Sequence, residues 1–130
     1  MNKTFILLLM IFLHIIDDFN LQGIMASMKQ KEWWKSQSEY TKLYKFDWLP
    51  ALLLHSFSWT FMIMAPIAFY FHFQINKIFI ILFIFNIFIH GFVDHLKANK
   101  KRIGLIEDQC IHMIQILDTF AILIIGNFGS

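Results

Sequence analysis

Cysteine is almost absent from this chain. The one present is Cys110, so neither an intrachain disulfide nor a cysteine-based zinc motif can form. Charge is scarce too. Charged residues make up 15% of the 130 positions and hydrophobic residues 58%, far from the balance of a soluble domain. The formal net charge is only +2, and the basic side chains behind it lie nearly all in two connections. That distribution suits the loops of a membrane protein rather than a nucleic-acid-binding surface. Internal repeats and low-complexity tracts are also missing, and the length argues for one domain over 1–130.

What fills the chain instead is hydrocarbon. There are sixteen Phe, and the stretches 49–73 and 78–93 are apolar almost throughout. About twenty such residues suffice to cross a bilayer. The pattern predicts an all-α polytopic membrane protein, a four-transmembrane-helix bundle with helices over 4–28, 48–73, 77–97 and 106–127. Pro66 is able to kink the second helix. Only a short turn around Gln74 to Asn76 separates helices two and three, which predicts a tight antiparallel hairpin. The one long connection, 29–47, mixes Lys, Glu, Gln and Ser with Trp33, Trp34, Tyr40 and Tyr44, a composition that suits an interfacial helix at headgroup level. The N-terminus has the outline of a signal peptide, with Met25-Ala26-Ser27 as a cleavage region. His14, Asp17 and Asp18 interrupt its apolar run, so a retained first helix is expected.

Lys29, Lys31, Lys35, Lys42 and Lys45 occupy the first connection, and Lys97, Lys100, Lys101 and Arg102 the third. The opposite side carries Lys3 and Lys77. Positive loops stay in the cytoplasm, so both termini are expected outside.

Against this background seven ionisable side chains stand out: His14, Asp18, His55, His90, Asp94, Asp108 and His112. Six of them form the pairs His14-x3-Asp18, His90-x3-Asp94 and Asp108-x3-His112. Positions i and i+4 share one face of a helix. A polar group in hydrocarbon costs a few kcal/mol or more, so such groups carry a function by default. With a rise of about 1.5 Å per residue, all seven fall within about 10 Å of the boundary that meets the basic connections. Each helix carries a polar stripe, continued by Gln22 on helix one, Asn86 on helix three, and Gln115 and Thr119 on helix four.

Four imidazoles and three carboxylates suit a divalent metal: zinc first, manganese or iron as alternatives. Two ions bridged by hydroxide would leave the site neutral, and one ion with the remaining groups around its ligands is the other arrangement. A single His–Asp pair would be explained by a hydrogen-bond network that only joins helices. Three pairs and a fourth histidine at one depth point to metal. Asp17 points about 100° from Asp18 on an ideal helix and is expected beside the ligands or among water. His95 reads as interfacial, Cys110 as packing, and Asp118 lies off the stripe. Lys97 reads equally as a snorkelling lysine or as a phosphate-binding cation.

The string His14-Ile-Ile-Asp-Asp18-Phe-Asn-Leu-Gln22 resembles the opening signature of DUF3307, a family of small bacterial and phage membrane proteins of unknown function. The Leu-Leu-Leu-His55 start of helix two, the His90-x3-Asp94-x2-Lys97 block and the Asp108-Gln109-x2-His112 block carry the likeness along the whole chain. That family is similar to the membrane-bound metal-dependent hydrolases of the DUF457 type. The resemblance implies a multi-pass protein of the bacterial inner membrane.

Three functions compete. The first is a metal-dependent hydrolase acting on a lipid or phosphoester at the cytoplasmic interface. Asp94 or Asp18 would then be the general base, and Lys97 would hold an anionic group. The second is an ion or proton transporter or channel. The third is a holin-like protein, which leaves the ligand-type residues unexplained. Expected partners are membrane lipids and a lipid or phosphate-containing substrate, not nucleic acid. Self-association into a homo-oligomer is left open.

Overall fold

The computed structural model describes residues 2–37 and 42–126. Among them the chain is helical, without a strand: α1 (Lys3–Ile16), α2 (Met25–Met28), α3 (Lys31–Lys35), α4 (Trp48–Tyr70), α5 (Lys77–Ala98) and α6 (Leu105–Phe120). The ends are set by local chemistry. Asn2 accepts a hydrogen bond from the Thr4 amide at 2.8 Å, and Asn76 from the Phe79 amide at 2.9 Å, which satisfies amides left open at the starts of α1 and α5. At the start of α6 the Gly104 amide donates to the Glu107 carboxylate at 3.0 Å. His72 and Phe73, with φ of 51° and 61°, lie in the left-handed region and turn the chain out of α4 toward α5.

α1 continues as a π-helical turn over Asp17–Leu21, and α6 as another over Ala121–Ile125. Four segments are thereby long and apolar enough to cross a membrane: Lys3–Leu21, Lys42–Tyr70, Lys77–Ala98 and Leu105–Ile125. α4 packs on α1 and α5, and α6 closes the ring against the same two helices. Phe12, Phe61, Phe88 and Ile114 are each more than half exposed on the outside of this ring. Water would not tolerate so much outward hydrocarbon, whereas lipid would.

Inside, the bundle divides into two layers. Toward the α4–α5 hairpin the core is apolar, with Ile6, Met10, Ile63, Ile67, Ile116 and Leu123 fully buried. Toward the connections that carry most of the lysines, the buried side chains are His14, Asp17, Asp18, His55, His90, Asp94, Asp108 and His112. Gly91 lets α4 and α5 close up between these layers. A Cβ there would lie 2.9 Å from Ser56 Oγ, so only glycine fits without a shift.

The first segment is shorter than its apolar pattern predicts. It stops at Leu21, and Gly23, with φ of +48°, breaks the chain before the separate short helix α2. The long connection holds a five-residue helix, α3, whose Trp33 and Trp34 are partly buried. Tyr40 and the end of the tail from Asn127 lie outside the described residues. α4 passes through Pro66 as one element.

Candidate metal centre

A π turn continues α1 at the level of the polar layer. The Gln22 amide reaches back five residues to the Asp17 carbonyl at 3.2 Å. Both adjacent carboxylates are buried, Asp17 at 1% exposure and Asp18 at 6%. Asp17 thus lies beside the ligand-type residues, one of the two positions expected for it. Ser58 Oγ donates to Asp17 Oδ1 at 2.6 Å, and Asp17 Oδ2 lies 3.8 Å from His55 Nδ1.

Six of the seven ligand-type residues converge. His55 Nε2 lies 3.3 Å from Asp18 Oδ1, 3.3 Å from Asp94 Oδ2 and 3.2 Å from His90 Nε2. His112 Nε2 lies 3.4 Å from Asp108 Oδ1 and 3.6 Å from Asp94 Oδ1, and His90 Nε2 lies 3.8 Å from Asp94 Oδ2. Three triads bring their ligand atoms within 4.8 Å of one another: Asp18–His55–His90, His90–Asp94–His112 and Asp18–Asp108–His112. Most of these separations exceed the hydrogen-bond optimum of about 2.7–3.2 Å. Ligands about 2.0–2.2 Å from a tetrahedral ion lie about 3.3–3.6 Å apart, which is the spacing seen. His112 Nε2 and Asp108 Oδ1 are buried and, among the described residues, lack a hydrogen-bond partner. A cation would satisfy both atoms.

His14 stands apart from these triads, because both its ring nitrogens are engaged. Trp59 Nε1 donates to Nδ1 at 2.7 Å, so the ring proton sits on Nε2 and points to Gln109 Oε1 at 3.0 Å. The Gln109 amide group in turn donates to Asp18 Oδ2 at 2.8 Å and Asp108 Oδ2 at 3.1 Å. The chain Trp59–His14–Gln109 thus holds two carboxylates in place. Trp59 also stacks on His90, and His90 on His112, each with ring centroids 4.2 Å apart, while Trp59 and His112 lie 5.3 Å apart. Behind them His112 Nδ1 meets Gln115 Oε1 at 3.2 Å, and Gln115 bonds to Asn86, which bonds to Thr119 at 2.8 Å. Such partners fix ring orientation in metal sites.

Two lysines enter the layer. Lys29 Nζ donates to Asp94 Oδ2 at 2.5 Å, and Lys97 Nζ to Asp108 Oδ2 at 2.6 Å. Asn99 locks the Lys29 backbone in place by accepting from the Lys31 amide at 2.7 Å and donating to the Lys29 carbonyl at 3.0 Å. The layer thus buries four carboxylates, Asp17, Asp18, Asp94 and Asp108, with two ammonium groups, Lys29 on Asp94 and Lys97 on Asp108. Two negative charges are left over, which one divalent ion would neutralise in a medium where net charge is costly.

Sequence reasoning missed the burial of Lys29 and the bridging role of Gln109. Lys29 looks like an ordinary loop lysine, and its 8% exposure follows from contacts with α5 some seventy positions on. Gln109 follows Asp108 directly and bridges two carboxylates only once α6 faces α1. His95 stacks on Trp48 with centroids 5.1 Å apart, while Cys110 and Asp118 are exposed. In comparisons with protein-family models, curated proteins and solved structures, nothing matches this chain.

Proposed function

We propose that the chain is an integral membrane metal-binding protein that works as a metal-dependent hydrolase, acting on a lipid or phosphoester at the cytoplasmic interface. The observation that carries the reading is the convergence of Asp18, His55, His90, Asp94, Asp108 and His112 at 3.2–3.8 Å, with two of their ligand atoms, among the described residues, without a hydrogen-bond partner. The donor set suits zinc, and manganese or iron as alternatives. A divalent ion held there supplies the Lewis acidity that activates water near neutral pH.

The residues around it divide the remaining work. Asp94 is the one carboxylate that also borders the cavity beside Lys29 and Lys97, so it is placed to take a proton from water arriving by that route. Asp18 is steered by Gln109 and faces His55. Lys97 screens Asp108 and stands at the cavity wall. A transporter would need polar groups across the whole bundle. The apolar layer of Ile6, Met10, Ile63, Ile67 and Leu123 supports the hydrolase instead. The lysine-rich connections support a site in the cytoplasmic half of the inner membrane with both termini outside.

Metal content of the protein purified in detergent without chelators tests the reading. Wild type is expected to hold one or two equivalents, zinc foremost, and His90→Ala far less. Under a tenth of an equivalent in wild type would leave a purely structural His–Asp network.

A further inference from the structure

We propose that the cavity beside Asp94 is an anion subsite that seats a phosphate group against the metal ligands. This inference rests on the metal-centre reading and names the chemistry of what that centre acts on. The cavity has a volume of about 360 Å³ and is bordered by Gln22, Lys29, Gln30, Asp94, Lys97 and Lys101. Three ammonium groups thus come together from three places: the first connection, the last turn of α5 and the turn beyond it. One carboxylate, Asp94, borders the cavity with them, and Lys97 is also paired with Asp108.

Charge and donor count select the ligand class. A carboxylate ligand offers two oxygens and one charge. A phosphate monoester offers three oxygens and a charge of about −1.5 to −2, which matches three point-charge donors better. The volume sits at the low end of small-ligand pockets, about 300–1,000 Å³, and so fits a phosphate with a glycerol-sized group rather than a long polymer. Lys29 and Lys97 are paired with Asp94 and Asp108. Once those carboxylates ligate a cation, their charge is met from the metal side and both ammonium groups face the cavity. Lys101 is exposed and, among the described residues, makes no side-chain ion pair, so its charge is available throughout.

The test uses the full chain in phosphatidylcholine nanodiscs, titrated by calorimetry with dihexanoyl phosphatidate and with inorganic phosphate. Metal content is measured on the same preparations. Wild type is expected to bind at least one probe saturably. Lys101→Gln should weaken binding roughly tenfold, the loss of one charge-assisted contact. Lys45→Gln, in the same basic connection as Lys29 but away from the cavity, should leave binding unchanged. Binding of phosphatidate alone assigns the subsite to a lipid headgroup; equal binding of both probes assigns it to free phosphate. Failure of both probes in metal-loaded protein overturns the subsite and spares the metal centre. So does equal weakening by Lys45→Gln and Lys101→Gln, which would reduce the effect to general surface charge. Binding that depends on Lys101 in protein with no metal keeps the subsite and overturns the metal centre.

Discussion

Lys29 and Asp94, 65 residues apart in the chain, form a buried 2.5 Å ion pair at the mouth of the polar layer. The pair ties the first connection to α5 and caps the side of Asp94 turned away from His112. Removing one partner of a buried pair leaves the other charge uncompensated, at a cost of about 3–5 kcal/mol. Lys29→Met should therefore lower the melting temperature in detergent clearly. The double variant Lys29→Met/Asp94→Asn should recover much of that loss, with a coupling of roughly 1–3 kcal/mol. Strictly additive losses would show that the pair contributes nothing as a pair.

Asp94→Asn separates a metal ligand from a helix-joining residue. The amide keeps the shape and most hydrogen bonding, so a joining role would survive. A ligand role would not, and metal affinity should fall about tenfold or more. Asp118→Asn serves as the control, because Asp118 is exposed on α6 and belongs to none of the triads. Equal metal content in the two variants would remove Asp94 from the proposed centre.

The contact between α4 and α5 predicts a steric effect with a specific rescue. In Gly91→Ala the new Cβ would meet Ser56 Oγ at 2.9 Å but Ser56 Cβ only at 3.7 Å. Overpacking of this kind costs about 1–3 kcal/mol. Adding Ser56→Ala removes the clashing oxygen and should restore most of the stability, read as a thermal melt in detergent. A double variant no better than Gly91→Ala would mean that the close approach at this point is not what limits packing.

Orientation can be read by labelling. On a Cys110→Ala background, Gln37→Cys and Lys100→Cys should resist impermeant thiol reagents in intact cells and react after lysis. Reaction of both sites from outside would invert the topology and move the polar layer to the outer half of the membrane.

Much of this arrangement was legible in the chain itself. The four apolar segments follow from hydrocarbon length alone, since a span needs about twenty apolar residues whatever it packs against. The His-x3-Asp and Asp-x3-His pairs place both partners on one face by helical geometry, and alternating crossings bring three such faces to one level. The meeting of the His90–Asp94 and Asp108–His112 pairs follows from that spacing.

Tertiary structure decided the rest. α1 ends in a π turn at Asp17–Leu21, and nothing in the i+4 periodicity signals a turn of five. His14 shares a face with Asp18 but meets Trp59 and Gln109 first, so its nitrogens are taken up by hydrogen bonds. Lys29 becomes a buried cation only because Asn99 holds its backbone against the end of α5. Each of these outcomes depends on how far one helix is rotated against another, or on where a loop folds back. Local periodicity carries no information about either, because the contacts that set them join residues distant in the chain.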